Sequence, residues 1–196
     1  MTPTEVYLST LALARKIRSS YKPDHIIGIS RGGLGLAWYL ADFLNKEKVY
    51  MIGAKRYPGV DVRQQEVEIY QDLPPSLNLR KSRVLLVDDI WDEGPTIGQI
   101  KSHIEETKSP REIKTAVLHY KPMRNILHIK PDFYIFETER WVSLPKEWCE
   151  DIIAAFKRRL FGEGLNEKEI VEKLIGFGIW EEIIDYVLEE MNVSEE

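Results

Sequence analysis

The feature that most constrains the fold of this chain is the apolar run 84–87, which ends abruptly in two adjacent carboxylates, Asp88 and Asp89. Four apolar residues without polar alternation are typical of a strand buried on both faces, as in a parallel sheet covered by helices. Ligands of such sheets bind beyond the carboxyl ends of the strands. The sequence therefore predicts a chemical site at Asp88 and Asp89.

The segment that follows the two acids has the pattern of an anion site. A glycine-containing turn, 92–96, precedes a helix-like segment. Backbone N–H groups at the start of a helix have no partner within the helix, and the helix dipole adds partial positive charge there. Because carboxylates accept hydrogen bonds from hydroxyl groups, acids beside a phosphate cradle indicate a sugar phosphate as the ligand.

Strand and helix patterns alternate along the whole first part of the chain. The predicted strands cover residues 25–29, 48–54, 83–88, 113–119 and 132–136, and the predicted helices between them cover 34–45 and 96–107. This order predicts an α/β fold with a mainly parallel sheet of about five strands flanked by helices. An amphipathic helix opens the chain, since Thr2 and Glu5 form a capping box.

Composition limits the functions that the chain can have. Hydrophobic residues make up 43% and charged residues 30% of the chain, as in a globular protein. A net charge of −5 argues against a nucleic-acid partner. Neither a membrane-spanning stretch nor a signal peptide is evident, so we expect a cytoplasmic protein. The single Cys149 and four histidines at unsuitable spacings predict no zinc site.

The residues after the apolar run resemble the signature of the type I phosphoribosyltransferases, which is a strand, two acids, a spacer, an acid, Thr or Ser, Gly, any residue and Thr. Glu93 departs from it, because the family usually has a hydroxyl residue there. A carboxylate facing a phosphate is repelled, so Glu93 either points away or binds a cation. The resemblance implies that phosphoribosyl diphosphate is bound by Asp88, Asp89, Asp92, Glu93, Gly94, Pro95 and Thr96.

A second motif resembles the pyrophosphate loop of the 6-oxopurine branch of this family. Ser30-Arg31-Gly32-Gly33 directly follows the predicted strand 25–29. Glycines let the backbone approach an anion closely, and Arg31 adds a charge-assisted contact. Alone, the motif also fits a tight turn with a surface arginine. The resemblance implies that the pyrophosphate is bound by Ser30, Arg31, Gly32, Lys55 and Arg56.

The charged segment 55–75 corresponds in this family to a mobile flap that closes over the reacting centre. Closure excludes water from a cationic transition state. The turn signal Tyr57-Pro58-Gly59 marks the expected flap tip or hinge. A solvated hairpin would carry the same charges, so that interpretation stays open at this stage.

A third motif resembles the base-binding hood of the xanthine-guanine enzymes, in which a Lys-Pro pair follows a strand and a Trp comes some twenty residues later. Lys121-Pro122 and Trp141 occupy these positions. The resemblance implies that Lys121 donates to the purine O6, and that Trp141, with Val142, contacts the ring. An ammonium has donors and no acceptor, so it can donate to a 6-oxo group but has no acceptor for the N–H groups of a 6-amino group. Packing is the alternative role for Trp141 and the favoured one for Trp148.

The chain after residue 148 departs from the compact bacterial enzymes that it resembles. Three short amphipathic helices are predicted there, separated by glycines. Such helices do not stand alone, so we expect them to pack on the core or on a second subunit. A module that recruits another protein is the alternative. We therefore predict a phosphoribosyltransferase domain with its hood, 1–148, and a helical extension, 149–196.

The resemblance implies transfer of the 5-phosphoribosyl group from phosphoribosyl diphosphate to N9 of a 6-oxopurine, with release of pyrophosphate. Asp88 and Asp89 would hold the ribose hydroxyls, offset the positive charge that develops on the sugar, and contact Mg²⁺ largely through substrate and water. Asp92 would accept the proton from N7. We expect a homodimer or higher homo-oligomer. The alternatives are another acceptor base, adenine or a pyrimidine, or a nucleotide-sensing regulator with this fold.

Overall fold

The computed structural model describes residues 1–56, 67–127, 129–158 and 164–193. Their contacts form two compact units. The first, called the α/β unit, is Leu8–Glu139, and the second, called the helical unit, comprises Met1–Tyr7 and Arg140–Glu196. The domain boundary after residue 148 stays a prediction, because a compact unit is not necessarily an independent folding domain.

The described residues form six α-helices and eight strands. The helices are α1 (Pro3–Ser20), α2 (Leu34–Phe43), α3 (Pro95–Lys108), α4 (Trp148–Lys157), α5 (Glu167–Gly176) and α6 (Glu181–Val193). The strands are β1 (His25–Ser30), β2 (Val49–Arg56), β3 (Val67–Gln71), β4 (Arg83–Val87), β5 (Ile90–Trp91), β6 (Glu112–Ala116), β7 (His119–Tyr120) and β8 (Phe136–Glu137).

The main sheet of the α/β unit has five strands in the order β3-β2-β1-β4-β6. Four of them are parallel, and β3 pairs with β2 in the antiparallel sense. This confirms the α/β fold with a mainly parallel sheet. Strand β4 is buried along 84–87, as its unbroken apolar run predicts. Gly28 of β1 lies opposite Val87 of β4, so both strands end at the same edge.

The fifth strand of this sheet is not the predicted one. The sequence places it at 132–136, whereas β3 takes that place, and β8 belongs to a small second sheet with the order β5-β7-β8. The predicted strand 113–119 divides because the chain changes partners after β6. Val117 N donates to Phe133 O at 3.0 Å, and the next two N–H groups donate to Asp89 O at 2.9 and 3.1 Å.

The core of the α/β unit lies between the main sheet and the helices and loops that cover it. Its largest fully buried side chains include Ile27, Leu86 and Trp91. Each fully buried aliphatic side chain contributes about 1.5 to 3 kcal/mol to folding. Because β1 and β4 are at the centre of this core, the loops at their carboxyl ends are held on a rigid support.

The helical unit has a core of its own, built from α4, α5 and α6. Trp148 is 4% exposed and packs edge-on against Trp180, with ring centroids 5.6 Å apart. Helix α5 begins at a capping box, in which Asn166 accepts from Glu169 N at 3.1 Å. Trp148 is thus a packing residue, as the sequence favours. Among the described residues, no helix is both long and apolar enough to cross a membrane.

Some predictions fall on residues that the structure does not describe. The flap tip Tyr57-Pro58-Gly59, with the charged residues of 61–66, lies outside the described residues, as does His128. On either side of this gap, β2 and β3 form an antiparallel pair, with Lys55 opposite Glu68. The role of 55–75 as a flap stays a prediction.

Candidate active site

Two loops meet at the carboxyl edge of the main sheet, namely 30–33 after β1 and 88–89 after β4. A Cβ atom on Gly32 would lie 2.6 Å from Asp88 Oδ1 and 2.7 Å from Asp89 Oδ1. A Cβ atom on Gly33 would lie 2.2 Å from Val87 O. A side chain at Gly33 would meet backbone, and one at Gly32 would displace the two carboxylates, so the glycines allow this close approach. The predicted pyrophosphate loop and the predicted sugar acids therefore lie next to each other.

Backbone hydrogen bonds orient the two acids at the end of β4. Asp89 N donates to Asp88 Oδ1 at 3.0 Å, and Ile90 N donates to Asp89 Oδ1 at 2.7 Å. Both side chains are partly exposed. A carboxylate accepts about four hydrogen bonds, so these contacts fix the side chains and are compatible with binding of ligand hydroxyl groups.

The loop 92–96 ends at the amino terminus of α3, as the anion-site pattern predicts. Gly94 is the N-cap residue and has a φ of 99°, and no side chain caps the helix. A Cβ atom on Gly94 would also lie 2.8 Å from Trp91 Nε1. Trp91, which is 2% exposed, thus lies directly beneath the loop. The sequence assigns Trp91 no role, and its position shows that it supports the loop.

Residues 124–127 contact this loop. Ile126 N donates to Glu93 O at 3.0 Å, and Trp91 Nε1 donates to Asn125 Oδ1 at 3.3 Å. Arg124 Nη1 is 3.1 Å from Asp92 Oδ2, and its Nη2 is 3.8 Å from Glu93 Oε1. The carboxylate of Glu93 therefore pairs with a cation, which is one of the two possibilities that the sequence leaves open. Arg124 and Asn125 carry no motif that would have revealed them.

Lys121 and Asp92 lie close together. Lys121 Nζ is 3.8 Å from Asp92 Oδ2, and the side chain of Lys121 is only 4% exposed. Its backbone N–H donates to Trp91 O at 2.9 Å, which fixes the start of the segment beside the loop. Asp92 Oδ1 is buried and has no hydrogen-bond partner among the described residues. The two oxygens of Asp92 thus differ, because Oδ2 makes the contacts with Lys121 and Arg124.

The loop after β1 has a further neighbour that the sequence does not indicate. Tyr70 of β3 donates its hydroxyl to Ser30 Oγ at 3.2 Å. A Cβ atom on Gly53 would lie 2.4 Å from the Tyr70 ring, so this glycine makes room for the tyrosine. The peptide bond between Ser30 and Arg31 is cis. Arg31 is exposed within this loop.

Four further residues are predicted to bind the ligands. Lys55 is exposed near the end of β2, and the side chain of Arg56 lies outside the described part of the chain. Trp141 and Val142 belong to the helical unit, where the Trp141 side chain is 72% exposed. The binding roles of these four residues stay predictions.

His119 is a buried neighbour of the acids. It is 5% exposed, and its ring stacks on Phe136 at a centroid distance of 5.0 Å. Burial lowers the pKa of His119 to about 4, although the charge of Asp89 opposes this shift. The imidazole is therefore neutral at pH 7. In the described part of the chain, Nδ1 has no hydrogen-bond partner. The sequence expects a structural or surface histidine, and the structure places it inside.

The family model of the phosphoribosyl transferase domain matches residues 7–151, which include both loops, the two acids and Lys121. The chain belongs to the phosphoribosyltransferase family, a class of glycosyltransferases. This confirms the resemblance drawn from the two motifs.

Three relatives illustrate the similarity. The chain is 30% identical over 166 residues to the hypoxanthine-guanine phosphoribosyltransferase of Aquifex aeolicus, covering 82% of this chain and 86% of that protein. It is 34% identical over 96 residues to the adenine phosphoribosyltransferase of Trichodesmium erythraeum. This match covers 45% of this chain and 54% of that protein, so the chain spans only about half the length of this relative. The crystal structure of a purine phosphoribosyltransferase from Pyrococcus horikoshii is 34% identical, with a TM-score of 0.64 over 74% of this chain and 90% of the other.

Proposed function

We propose that the protein transfers the 5-phosphoribosyl group from phosphoribosyl diphosphate to N9 of a 6-oxopurine and releases pyrophosphate. The observation that carries this proposal is the pairing of Lys121 with Asp92 at 3.8 Å. In a 6-oxopurine, O6 and N7 lie side by side on one edge of the ring. A donor next to a proton acceptor at this spacing matches that edge.

The two groups act on this edge in different ways. The Lys121 ammonium donates to O6 and has no acceptor to offer a 6-amino group. Asp92 accepts the N7 proton as N9 attacks the sugar, and we assign this proton to Oδ1. That oxygen is buried and has no hydrogen-bond partner among the described residues, whereas Oδ2 is held by Lys121 and Arg124. A buried polar atom without a partner is uncommon, and a substrate proton would supply one.

The sugar and its leaving group occupy the edge formed by the two loops. Asp88 and Asp89 hold the ribose hydroxyls and offset the positive charge that builds up at the anomeric carbon. The loop 30–33 binds the pyrophosphate through backbone N–H groups and Arg31. Because Gly32 packs directly on both acids, the bond that breaks lies between the two sets of ligands.

The two acids also fit a magnesium ion that is held mainly by the substrate. The described residues contain no group of three or more His, Cys, Asp or Glu that could enclose a metal by themselves. Mg²⁺ commonly keeps several waters and binds through one or two carboxylates together with substrate phosphates. Asp88 and Asp89 supply such carboxylates. The ion would neutralise charge on the leaving pyrophosphate.

Adenine is the second candidate acceptor, because one relative is an adenine phosphoribosyltransferase. Its 6-amino group presents N–H donors on the edge where O6 would accept. A buried ammonium next to that group leaves donors facing donors, which costs about 1 to 3 kcal/mol for each unsatisfied group. Lys121 therefore favours the 6-oxopurine.

A panel of acceptors tests the proposal. The protein is incubated with phosphoribosyl diphosphate, Mg²⁺ and one nucleobase at a time, and nucleotide formation is followed. We expect turnover of hypoxanthine, guanine or xanthine at higher kcat/KM than adenine or the pyrimidines. Binding of nucleotides without turnover of any base would refute the proposed transferase activity and favour a nucleotide-sensing regulator.

The remaining features of the proposal come from the family resemblance. We propose that the protein acts as a cytoplasmic homodimer or higher homo-oligomer. Light scattering after size-exclusion chromatography measures the mass in solution. A monomeric mass at the concentrations used in the assay would refute the proposed oligomeric state.

A further inference from the structure

The loop 92–96, which is proposed to hold the 5′-phosphate, has an unfavourable composition for that ligand. Glu93 adds a carboxylate to the loop, and Pro95, the first residue of α3, has no backbone N–H. A phosphate at a helix amino terminus is held by backbone N–H groups and by the helix dipole. One of these donors is missing, and an extra negative charge is present. The loop alone is therefore a weak site for a dianion.

Arg124 brings a positive charge to this loop. Its guanidinium contacts Asp92 Oδ2 at 3.1 Å through Nη1 and Glu93 Oε1 at 3.8 Å through Nη2. The backbone of the same segment is fixed to the loop, since Ile126 N donates to Glu93 O at 3.0 Å. The Arg124 side chain is 47% exposed, so a ligand can reach it from solvent. Arg124 thus combines a fixed backbone with an accessible charge.

We infer that Arg124 binds the 5′-phosphate of the substrate and that Glu93 holds its guanidinium beside the loop. The inference rests on the proposed function and deepens it, because it names the cation that recognises the phosphate end of the sugar. A guanidinium carries five N–H donors in a planar fork that matches phosphate oxygens in a bidentate way. It therefore replaces the donor that Pro95 lacks and offsets the charge that Glu93 adds.

An alternative role for Arg124 is to neutralise Asp92 without touching the phosphate. The two roles differ in which ligands feel the loss of the arginine. A phosphate ligand is required by molecules that carry the 5′-phosphate and is irrelevant to a nucleoside. A residue that only neutralises Asp92 acts on the base, so its loss affects nucleoside and nucleotide alike.

The first experiment compares Arg124→Ala with wild type and with Arg111→Ala. Arg111 is an exposed arginine at the amino end of β6, at the opposite edge of the sheet, so this control removes the same charge far from the site. Dissociation constants are measured by calorimetry for inosine 5′-monophosphate and for inosine, together with the KM for phosphoribosyl diphosphate. We expect Arg124→Ala to weaken the two phosphorylated ligands tenfold or more and to leave inosine within about twofold. Arg111→Ala should change none of them.

A second variant pair tests the link between Arg124 and Glu93. Glu93→Thr replaces the carboxylate with a neutral hydroxyl donor, which removes the repulsion that the arginine offsets. In the Arg124→Ala background, Glu93→Thr should recover most of the lost monophosphate affinity. In the presence of Arg124 the same change should not raise affinity, because the guanidinium then loses the carboxylate that holds it beside the loop. Two residues in contact show such non-additivity, and independent residues do not.

The possible results separate the role of Arg124 from the proposed function. Equal effects of Arg124→Ala on inosine and on its monophosphate, unchanged phosphate affinity, or purely additive effects of the two substitutions would each overturn the role of Arg124. Wild-type turnover in these cases leaves the proposed function intact. Wild-type protein that binds neither phosphoribosyl diphosphate nor the monophosphate would instead refute the proposed function and this inference with it. Thermal melting checks folding, and Arg124→Gln, which stays polar, replaces the alanine variant if needed.

Discussion

Replacing Lys121 with methionine tests the assignment of the base most directly. The lysine side chain is 4% exposed, and its ammonium lies 3.8 Å from Asp92 Oδ2. Methionine keeps an unbranched side chain of similar length, so packing around the buried stem is largely retained. The substitution removes a positive charge and three N–H donors. Asp92 keeps its contact with Arg124, at 3.1 Å, and is not left without a cation.

The size of the effect follows from the bond that is lost. A hydrogen bond to a charged group contributes about 1.5 to 3 kcal/mol. Since about 1.4 kcal/mol corresponds to a factor of ten, kcat/KM for hypoxanthine and guanine should fall roughly tenfold to a hundredfold. Adenine gains from removal of the opposing donors, so its kcat/KM should hold or rise. The KM for phosphoribosyl diphosphate should change by less than about threefold, because Lys121 lies in neither phosphate-binding loop.

The assay is initial-rate nucleotide formation with each base at saturating phosphoribosyl diphosphate and Mg²⁺. Lys22→Ala is the matched control, since this exposed lysine precedes β1 at the opposite edge of the sheet. An unchanged ratio of hypoxanthine to adenine would refute the assignment of Lys121 to O6. A loss of equal size for all bases and for phosphoribosyl diphosphate would indicate general damage to the site, and it would refute the assignment as well.

Two further predictions concern the acids and the buried histidine. Replacing both Asp88 and Asp89 with Asn should abolish measurable turnover, while calorimetry should still detect pyrophosphate at the Arg31 loop; loss of both together in a folded protein would show that the two sites are not separate. Because burial lowers the pKa of His119 from 6.5 to about 4, the unfolded chain binds the extra proton first as pH falls. The free energy of unfolding should therefore decline by about 3 kcal/mol between pH 6.5 and 4, and this part of the decline should vanish in His119→Phe.

The sequence predicts the parts of the fold that local patterns determine. The run 84–87 is apolar at every position, and it forms the buried strand β4 because only a strand covered on both faces hides all four side chains. The strand 132–136 is predicted from the same kind of apolar content, but its pairing depends on distant partners. Phe133 bridges to Ala116 by itself, and the regular pairing of β8 is with β7. The pairing partner of a strand cannot be predicted from a short window of sequence.

The candidate site likewise contains residues that local motifs predict and residues that only long-range contacts reveal. Asp88, Asp89 and the glycine loop after β1 belong to contiguous motifs, so their roles are predictable before their proximity is known. Arg124 and Tyr70 enter the site through long-range contacts with Glu93 and Ser30, and neither residue belongs to a motif. The one local signal was the carboxylate at 93, whose position beside a phosphate requires either a turn away or a cation. That requirement pointed to a partner without identifying it.

The unequal surroundings of the two Asp92 oxygens lead to a final prediction for Asp92→Asn. The cations Lys121 and Arg124 contact Oδ2, so an asparagine should direct its carbonyl oxygen toward them and its NH₂ group toward N7. A free base that carries a proton on N7 then meets a donor, and turnover should fall by about 10² to 10⁴ because no group accepts that proton. In the product nucleotide, however, N7 is an acceptor. The variant should therefore bind inosine 5′-monophosphate at least as tightly as wild type does, measured by calorimetry. Turnover within threefold of wild type, or monophosphate affinity that falls as far as turnover, would contradict the assignment of Oδ1 to the N7 proton.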